Sequence, residues 1–102
     1  MARILVVDDE RSMREFLEIL LSKGGHDVTC VDGGERAIDL ATDSNEFDLV
    51  ITDLKMPRVG GIEVLERFKY HAPETEVIVM TAYSTTETAI AAMKRGAYDY
   101  LS

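Results

Sequence analysis

Asp53 stands at the end of a continuous apolar run, where its carboxylate has a position suited to chemistry. Residues 49–52 have the apolar and β-branched character of a strand buried on both faces, and Pro57 with Gly60 and Gly61 prevents its simple continuation. In open parallel α/β sheets, ligands collect at the carboxyl ends of the strands, where the strand order reverses. The sequence therefore predicts that a buried strand delivers Asp53 to a functional edge.

Two more acids, Asp8 and Asp9, follow a second apolar run at residues 3–7. If the first and third strands are neighbours where the strand order reverses, Asp8, Asp9 and Asp53 converge in one shallow pocket. Clustered carboxylates repel one another unless a cation neutralises them, and oxygen ligands in an open, hydrated site favour Mg²⁺ over zinc. Such a metal stabilises charge in phosphoryl transfer, and a carboxylate can be the nucleophile. We therefore expect a Mg²⁺ site and an aspartyl phosphate on Asp53.

Alternating strand and helix patterns must position these acids. Five segments have the composition of strands: residues 3–7, 26–31, 49–52, 77–81 and 97–102. Apolar residues at helical spacing follow each of the first four strands and predict four helices, the first of them over residues 12–23. This alternation predicts one doubly wound α/β domain over residues 1–102, with right-handed crossovers and a five-stranded parallel sheet in the order 2-1-3-4-5.

Local patterns also predict how two of the helices begin and which face of the fourth is buried. Ser12 with Glu15, and Ser84 with Glu87, have the spacing of a capping box. Apolar residues at helical spacing give the fourth helix a predicted inward stripe, which consists of Ala89, Ile90 and Met93.

The composition limits the classes of partner. With 46% hydrophobic residues the 102-residue chain can build a single core, and its net charge of −8 argues against direct binding of nucleic acid or of an anionic membrane by this domain. Met1, Ala2 and Arg3 lead straight into the first strand without a signal-peptide pattern, and no apolar stretch approaches the roughly 20 residues needed to span a bilayer. We expect a cytoplasmic protein without a membrane partner.

Three motifs at predicted strand ends resemble those of a known family. They are VVDDE at residues 6–10, VITDLKMP at 50–57 followed by two glycines, and MTA at 80–82. In combination they are specific, and over its whole length the chain resembles the CheY-like receiver domain of two-component response regulators. Residues 81–89 and 94–100 resemble the NtrC-like subgroup, which regulates σ54-dependent transcription through an attached ATPase and a DNA-binding output domain.

The resemblance implies a phosphorylation site and its metal ligands. Asp53 would accept a phosphoryl group from a sensor histidine kinase. The carboxylates of Asp9 and Asp53 and the backbone carbonyl of Lys55 would ligate Mg²⁺, and Asp8 would hold the metal through water. In this family the domain is a signalling switch that catalyses its own phosphotransfer and dephosphorylation, and it is not otherwise an enzyme.

The resemblance also implies a switch built from Thr81 and Tyr100. The threonine hydroxyl would move to a phosphoryl oxygen, and the aromatic ring would follow it inward, which would change the surface of the fourth helix and fifth strand. A new dianionic group beside a neutral hydrogen-bond donor favours one of two packed arrangements.

One departure from the family concerns the segment after the fifth strand. The family carries a lysine there, followed by proline and a last helix, and the sequence at Ser102 is one residue short of that lysine. We therefore expect a receiver domain that is C-terminally truncated and lacks the last helix. A single helix on one face of the sheet should leave an apolar patch exposed beside it, so a homodimer, an exchanged element or lowered stability is also expected.

Two alternative functions follow from the same residues. A Mg²⁺-dependent phosphatase of the haloacid-dehalogenase kind also uses an aspartate at a strand end, but it needs a second acid two residues later, where this chain has Lys55. A phosphorylation-independent adaptor would keep the fold and bind partners through its fourth helix. Turnover of a phosphomonoester would indicate the phosphatase, and the absence of any response to metal or beryllofluoride would indicate the adaptor.

Overall fold

The computed structural model describes residues 1–43 and 47–102, and these form one layer of parallel strands with helices on both sides. The strands are β1 Arg3–Val7, β2 Asp27–Val31, β3 Leu49–Thr52, β4 Glu76–Met80 and β5 Asp99–Leu101. Their order in the sheet is β2-β1-β3-β4-β5, and every neighbouring pair is parallel. The doubly wound fold and the strand order predicted from the sequence are confirmed.

Four helices connect the strands in the described ranges. They are α1 Arg11–Lys23, α2 Gly34–Thr42, α3 Gly61–His71 and α4 Thr86–Lys94. Apolar residues of α1 pack with one face of the sheet, and apolar residues of α2, α3 and α4 pack with the other. The chain moves outward from β1 to β2 and then returns past β1 to β3, and right-handed crossovers place helices on opposite faces when the direction reverses.

The larger core lies under α2, α3 and α4. Val50, Val77 and Val79 of the central strands are fully buried, and so are Leu65 and Phe68 of α3. Burial of one such side chain stabilises the fold by roughly 1.5–3 kcal/mol. This core fixes β3 beside β4 and thereby fixes the strand ends that carry the functional residues.

The helix starts differ from the capping boxes predicted in the sequence. The N-cap of α1 is Glu10, whose side chain makes no cap hydrogen bond, so the predicted Ser12 and Glu15 box is wrong. The N-cap of α4 is Thr85, and its partner is Thr88, so the box lies one residue beyond the predicted Ser84 and Glu87 pair. At α4 two neighbouring pairs have cap-forming residue types, and the extended backbone at Thr85 makes it the N-cap.

Exposed apolar side chains lie on both α1 and α4. On α1, Phe16 and Ile19 are each 59% exposed and Leu20 is 53% exposed, whereas the contiguous apolar patch expected beside the helix stays a prediction. On α4, the predicted inward stripe is partly wrong, because Ile90 and Met93 are half exposed. The buried face of α4 centres instead on a small residue, Ala92, which lets the helix lie close to the sheet. No helix in residues 1–43 or 47–102 has the length and apolar character needed to cross a membrane.

Candidate functional site

The carboxyl ends of β1 and β3 bring the predicted acids together. The N–H of Asp53 donates to the carbonyl of Val7 at 2.9 Å, which extends the β1–β3 ladder by one residue. The N–H of Asp8 donates to the carbonyl of Val31 at 3.2 Å on the other side of β1. Both aspartates are therefore held by backbone hydrogen bonds of the sheet, and their positions depend on the rigid central strands.

Asp8, Asp9 and Asp53 form one carboxylate cluster. One oxygen from each side chain lies within 4.8 Å of the other two. Asp8 is buried, Asp53 is half-buried and Asp9 is exposed, so the cluster opens to solvent on the side of Asp9. Hard oxygen donors in a partly hydrated site are the ligands that Mg²⁺ prefers, and the residues present therefore fit that ion.

Burial and mutual repulsion disfavour the charged forms of two of these acids. The pKa of Asp53 is raised above its ordinary value of 3.8, chiefly by burial, although the hydrogen bond from the Leu54 N–H lowers it, and the charge of Asp9 raises it further. The pKa of Asp8 is also raised, again chiefly by burial, against the lowering effect of the Glu10 N–H. A divalent cation at the cluster would offset this repulsion, because it favours the charged form of each carboxylate.

Hydrogen bonds fix one oxygen of each buried carboxylate. Oδ1 of Asp53 accepts from the N–H of Leu54 at 2.8 Å, and Oδ1 of Asp8 accepts from the N–H of Glu10 at 2.9 Å. Arg14 donates from its guanidinium to the carbonyl of Asp8 at 2.8 Å, which holds the β1–α1 turn. The second oxygen of Asp8 makes no hydrogen bond to the described residues, whereas hydrogen bonding from the Lys55 N–H and the Thr81 hydroxyl also lowers the pKa of Asp53, less than the Leu54 N–H does.

The turn after Asp53 requires glycine because the chain folds back closely on itself. The N–H of Gly61 donates to the carbonyl of Leu54 at 2.8 Å, and a Cβ at Gly61 would overlap the backbone carbonyl of Asp53. This close approach accounts for the Gly60-Gly61 signal in the sequence. The start of α3 is thereby packed directly against the loop that carries Lys55.

Thr81 lies at the end of β4 beside the acids. Its side chain is 4% exposed, and its hydroxyl accepts from the N–H of Tyr83 at 3.0 Å. Asp8, Asp53, Thr81 and Tyr83 line a single cleft of about 530 Å³. The structure thus brings Thr81, to which the family resemblance assigned a phosphoryl contact, to the same cleft as Asp8 and Asp53.

The Lys55 side chain approaches Tyr83, one of the residues that line this cleft. Its ammonium nitrogen lies 5.5 Å from the centroid of the Tyr83 ring, a cation–π distance between the loop after β3 and the loop after β4. The sequence analysis assigned Lys55 a role through its backbone carbonyl only and assigned nothing to Tyr83. The spacing of Tyr83, two residues after Thr81, is the signal that could have drawn attention to it.

Tyr100 lies away from the cleft. It is half-buried in β5, and its hydroxyl lies 2.8 Å from the hydroxyl of Thr88 in α4. Tyr100 is absent from the described residues that line the cleft, whereas Leu101 and Met80 are among them. The N–H of Thr81 donates to the carbonyl of Leu101, the residue after Tyr100, at 2.9 Å.

Comparisons with known proteins show which family the chain belongs to. The family model for the response regulator receiver domain matches residues 4–102. The chain is 39% identical to regulatory protein AtoC of Escherichia coli over 97% of this chain and 21% of that protein, and 42% identical to transcriptional regulatory protein ZraR of E. coli over 96% of this chain and 22% of that protein. It spans about a fifth of the length of these relatives.

A solved structure supports the same fold. Response regulator protein TrrA from Thermotoga maritima, solved in complex with Mg²⁺ and beryllofluoride, has a TM-score of 0.87 and 35% identity over 99% of this chain and 85% of that one. The two relatives named as regulators are in keeping with the subgroup suggested by the sequence.

Proposed function

The chain belongs to the response regulator receiver domain family, and on that premise we propose that Asp53 accepts a phosphoryl group from a sensor histidine kinase. The observation that carries the proposal is the cluster of Asp8, Asp9 and Asp53 within 4.8 Å at the carboxyl ends of β1 and β3. Receiver domains act as phosphorylation-controlled switches, and this cluster supplies both a nucleophile and a cation site.

In this proposal, Asp9, Asp53 and the backbone carbonyl of Lys55 ligate Mg²⁺, and Asp8 holds the ion through water. Bound Mg²⁺ supplies neutralisation of the clustered carboxylates and stabilisation of charge on the phosphoryl oxygens. The free second oxygen of Asp8 and the exposure of Asp9 toward solvent support this division of roles. The solved relative TrrA was crystallised with Mg²⁺ and beryllofluoride, which supports the same choice of metal here.

Asp53 is the nucleophile in the proposed transfer. Its Oδ1 is held by the Leu54 N–H, so Oδ2 attacks the phosphorus of the kinase phosphohistidine. A bond forms between Oδ2 and phosphorus, the phosphorus–nitrogen bond breaks, and the departing imidazole nitrogen keeps the electron pair. The raised pKa of Asp53 makes its carboxylate more basic than an exposed aspartate. Thr81, which lines the same cleft, donates a hydrogen bond from its hydroxyl to a phosphoryl oxygen of the product.

The proposed output is a change of the α4–β5 surface in a longer regulator. Thr81 and Tyr100 form the switch, and the backbone hydrogen bond from Thr81 to Leu101 supports a mechanical connection between them. Residues 1–102 act as the receiver domain, with a DNA-binding output domain elsewhere in the protein, by analogy with relatives about five times as long. The protein acts on transcription in the cytoplasm, and this domain itself binds neither nucleic acid nor a membrane. The exposed apolar residues of α1 support a homodimer.

Labelling with a small phosphodonor tests this function. Incubation with acetyl phosphate and Mg²⁺ should give one acid-stable, base-labile phosphate, and borohydride trapping with mass mapping should locate it on Asp53. Asp53→Asn should abolish the label. The matched control Asp39→Asn removes an exposed aspartate on α2 and should label normally.

The same assay separates the alternatives. A label on Ser, Thr or His, or undiminished labelling of Asp53→Asn, contradicts the proposal. Continuous turnover of a phosphomonoester would instead identify a phosphatase. Absence of labelling together with absence of any beryllofluoride response would identify the adaptor.

A further inference from the structure

A side-chain hydrogen bond joins the predicted switch tyrosine to the start of α4. The hydroxyl of Tyr100 lies 2.8 Å from the hydroxyl of Thr88, and the pair is partly buried. The two residues are on different elements, β5 and α4, which are adjacent in space. The ring of Tyr100 therefore has a specific partner in addition to its apolar packing against the core.

The partner hydroxyl is also the centre of the α4 capping box. The Thr88 hydroxyl accepts from the N–H of Thr85 at 3.1 Å and donates to the carbonyl of Thr85 at 3.0 Å. In return the N–H of Thr88 donates to the hydroxyl of Thr85 at 3.1 Å. A threonine hydroxyl has one donor and two acceptor positions. The Thr88 hydroxyl also lies 3.0 Å from the Thr85 hydroxyl, so four polar atoms, one of them the Tyr100 hydroxyl, share its one donor and two acceptor positions.

A second hydrogen bond connects β5 to Thr81, which lines the cleft beside Asp53. Thr81 donates its backbone N–H to the carbonyl of Leu101, the residue after Tyr100. In addition to its ladder with β4, β5 is held by Thr81 at the end of β4 and by Thr88 at the start of α4. Only three residues separate Thr81 from Thr85, the N-cap of α4.

We propose that Thr88 is a positioning residue of the switch, which ties the ring of Tyr100 to the first turn of α4 so that the two reorient as one unit. The inference rests on the proposed function in one respect, namely that Tyr100 is the switch residue. Rotation of Tyr100 out of its observed position breaks its hydrogen bond to Thr88 and perturbs the hydroxyl that caps α4. A change at Tyr100 is thus transmitted to the surface of α4 through Thr88.

Amide hydrogen exchange in the domain without phosphoryl donor tests the link directly. Tyr100→Phe removes only the phenol oxygen, and it should speed exchange of the Thr88 amide about three- to tenfold, the loss of one net hydrogen bond. On a Thr88→Val background the same change should have no further effect, because the partner hydroxyl is already gone. Thr88→Ser should restore the effect of Tyr100→Phe.

Tyr98→Phe is the matched control. Tyr98 lies two residues before Tyr100, is 65% exposed, and its hydroxyl makes no hydrogen bond within residues 1–43 and 47–102. Tyr98→Phe should leave the exchange rates of the α4 amides unchanged. The inference would be overturned if Tyr100→Phe left exchange of the Thr88 amide unchanged. It would also be overturned if the effects of Tyr100→Phe and Thr88→Val simply added, since Tyr100 would then act only through packing.

Beryllofluoride with Mg²⁺ separates a failure of this inference from a failure of the proposed function. In 3-fluorotyrosine-labelled protein, the fluorine resonance of Tyr100 and the α4 amide resonances should shift together in one titration. In Thr88→Val the Tyr100 shift should persist while the α4 shifts fall by half or more, and Thr88→Ser should recover them. No shift at Tyr100 in the parent protein refutes the switch, whereas identical α4 shifts in parent and Thr88→Val refute the role of Thr88.

Discussion

Replacing Asp53 with asparagine should stabilise the metal-free domain, because it removes one charge from a cluster of three. One oxygen of Asp53 lies within 4.8 Å of an oxygen of Asp8 and of Asp9. Two like charges at 4.8 Å repel by roughly 1 kcal/mol at the dielectric constant of water and by about 3.5 kcal/mol at an effective value of 20. Because Asp9 is exposed, the lower part of this range applies to its pair with Asp53.

The net gain expected for Asp53→Asn at pH 7 is about 1–3 kcal/mol of unfolding free energy in the presence of EDTA. Asparagine keeps an oxygen that can accept the Leu54 N–H, so that hydrogen bond at 2.8 Å is retained. Urea unfolding of the parent and the variant measures the difference, and Asp39→Asn, which removes an exposed charge on α2, should change the unfolding free energy by less than about 0.5 kcal/mol.

The pH dependence of the unfolding free energy tests whether charge repulsion is the cause of this stabilisation. The pKa values of Asp8 and Asp53 are raised in the folded state above 3.8, so the folded protein binds more protons than the unfolded one just above that pH. Stability from these groups is fully present below pH 3.8 and is lost as pH rises through the raised pKa values. The advantage of Asp53→Asn should therefore grow from acid to neutral pH. An advantage that is absent at pH 7, or equal at pH 3 and pH 7, would refute this account of the cluster.

Three further changes probe the site and the scaffold that holds it. Asp9→Asn should weaken Mg²⁺ binding by about tenfold or more in a fluorescence or calorimetric titration, since it removes a proposed ligand. Gly61→Ala should cost about 1–3 kcal/mol in urea unfolding and slow labelling of Asp53, because a Cβ would overlap the Asp53 carbonyl. Thr75→Val should cost about 1–3 kcal/mol, since the buried Thr75 hydroxyl donates to the Phe47 carbonyl at 2.7 Å. Unchanged values in any of the three would contradict the contact concerned.

Much of the site was predictable because it follows from the topology of parallel strands. Apolar runs located β1 and β3, and the carboxyl ends of neighbouring parallel strands must meet at one edge, so Asp8, Asp9 and Asp53 could be placed together from sequence alone. Thr81 was singled out through the family resemblance, and the structure places it directly after β4.

The contacts around α4 were not predictable, because they depend on side-chain geometry between distant residues. Thr85 and Thr88 form the cap, although Ser84 and Glu87 have an equally good pattern, and the backbone angles at Thr85 decide between them. The hydrogen bond between Thr88 and Tyr100 joins two elements whose relative orientation no local pattern specifies. The approach of Lys55 to Tyr83 likewise joins two separate loops. The metal-ligand role of the Lys55 carbonyl remains a prediction.

A crystal structure of the domain with Mg²⁺ and beryllofluoride tests the central claim most directly. The proposal predicts beryllium bonded to Oδ2 of Asp53, Mg²⁺ about 2.0–2.1 Å from oxygens of Asp9, Asp53 and the Lys55 carbonyl, and the Thr81 hydroxyl within hydrogen-bond distance of a fluorine. Beryllofluoride on another residue, or Mg²⁺ bound without Asp9 and Asp53, would contradict it.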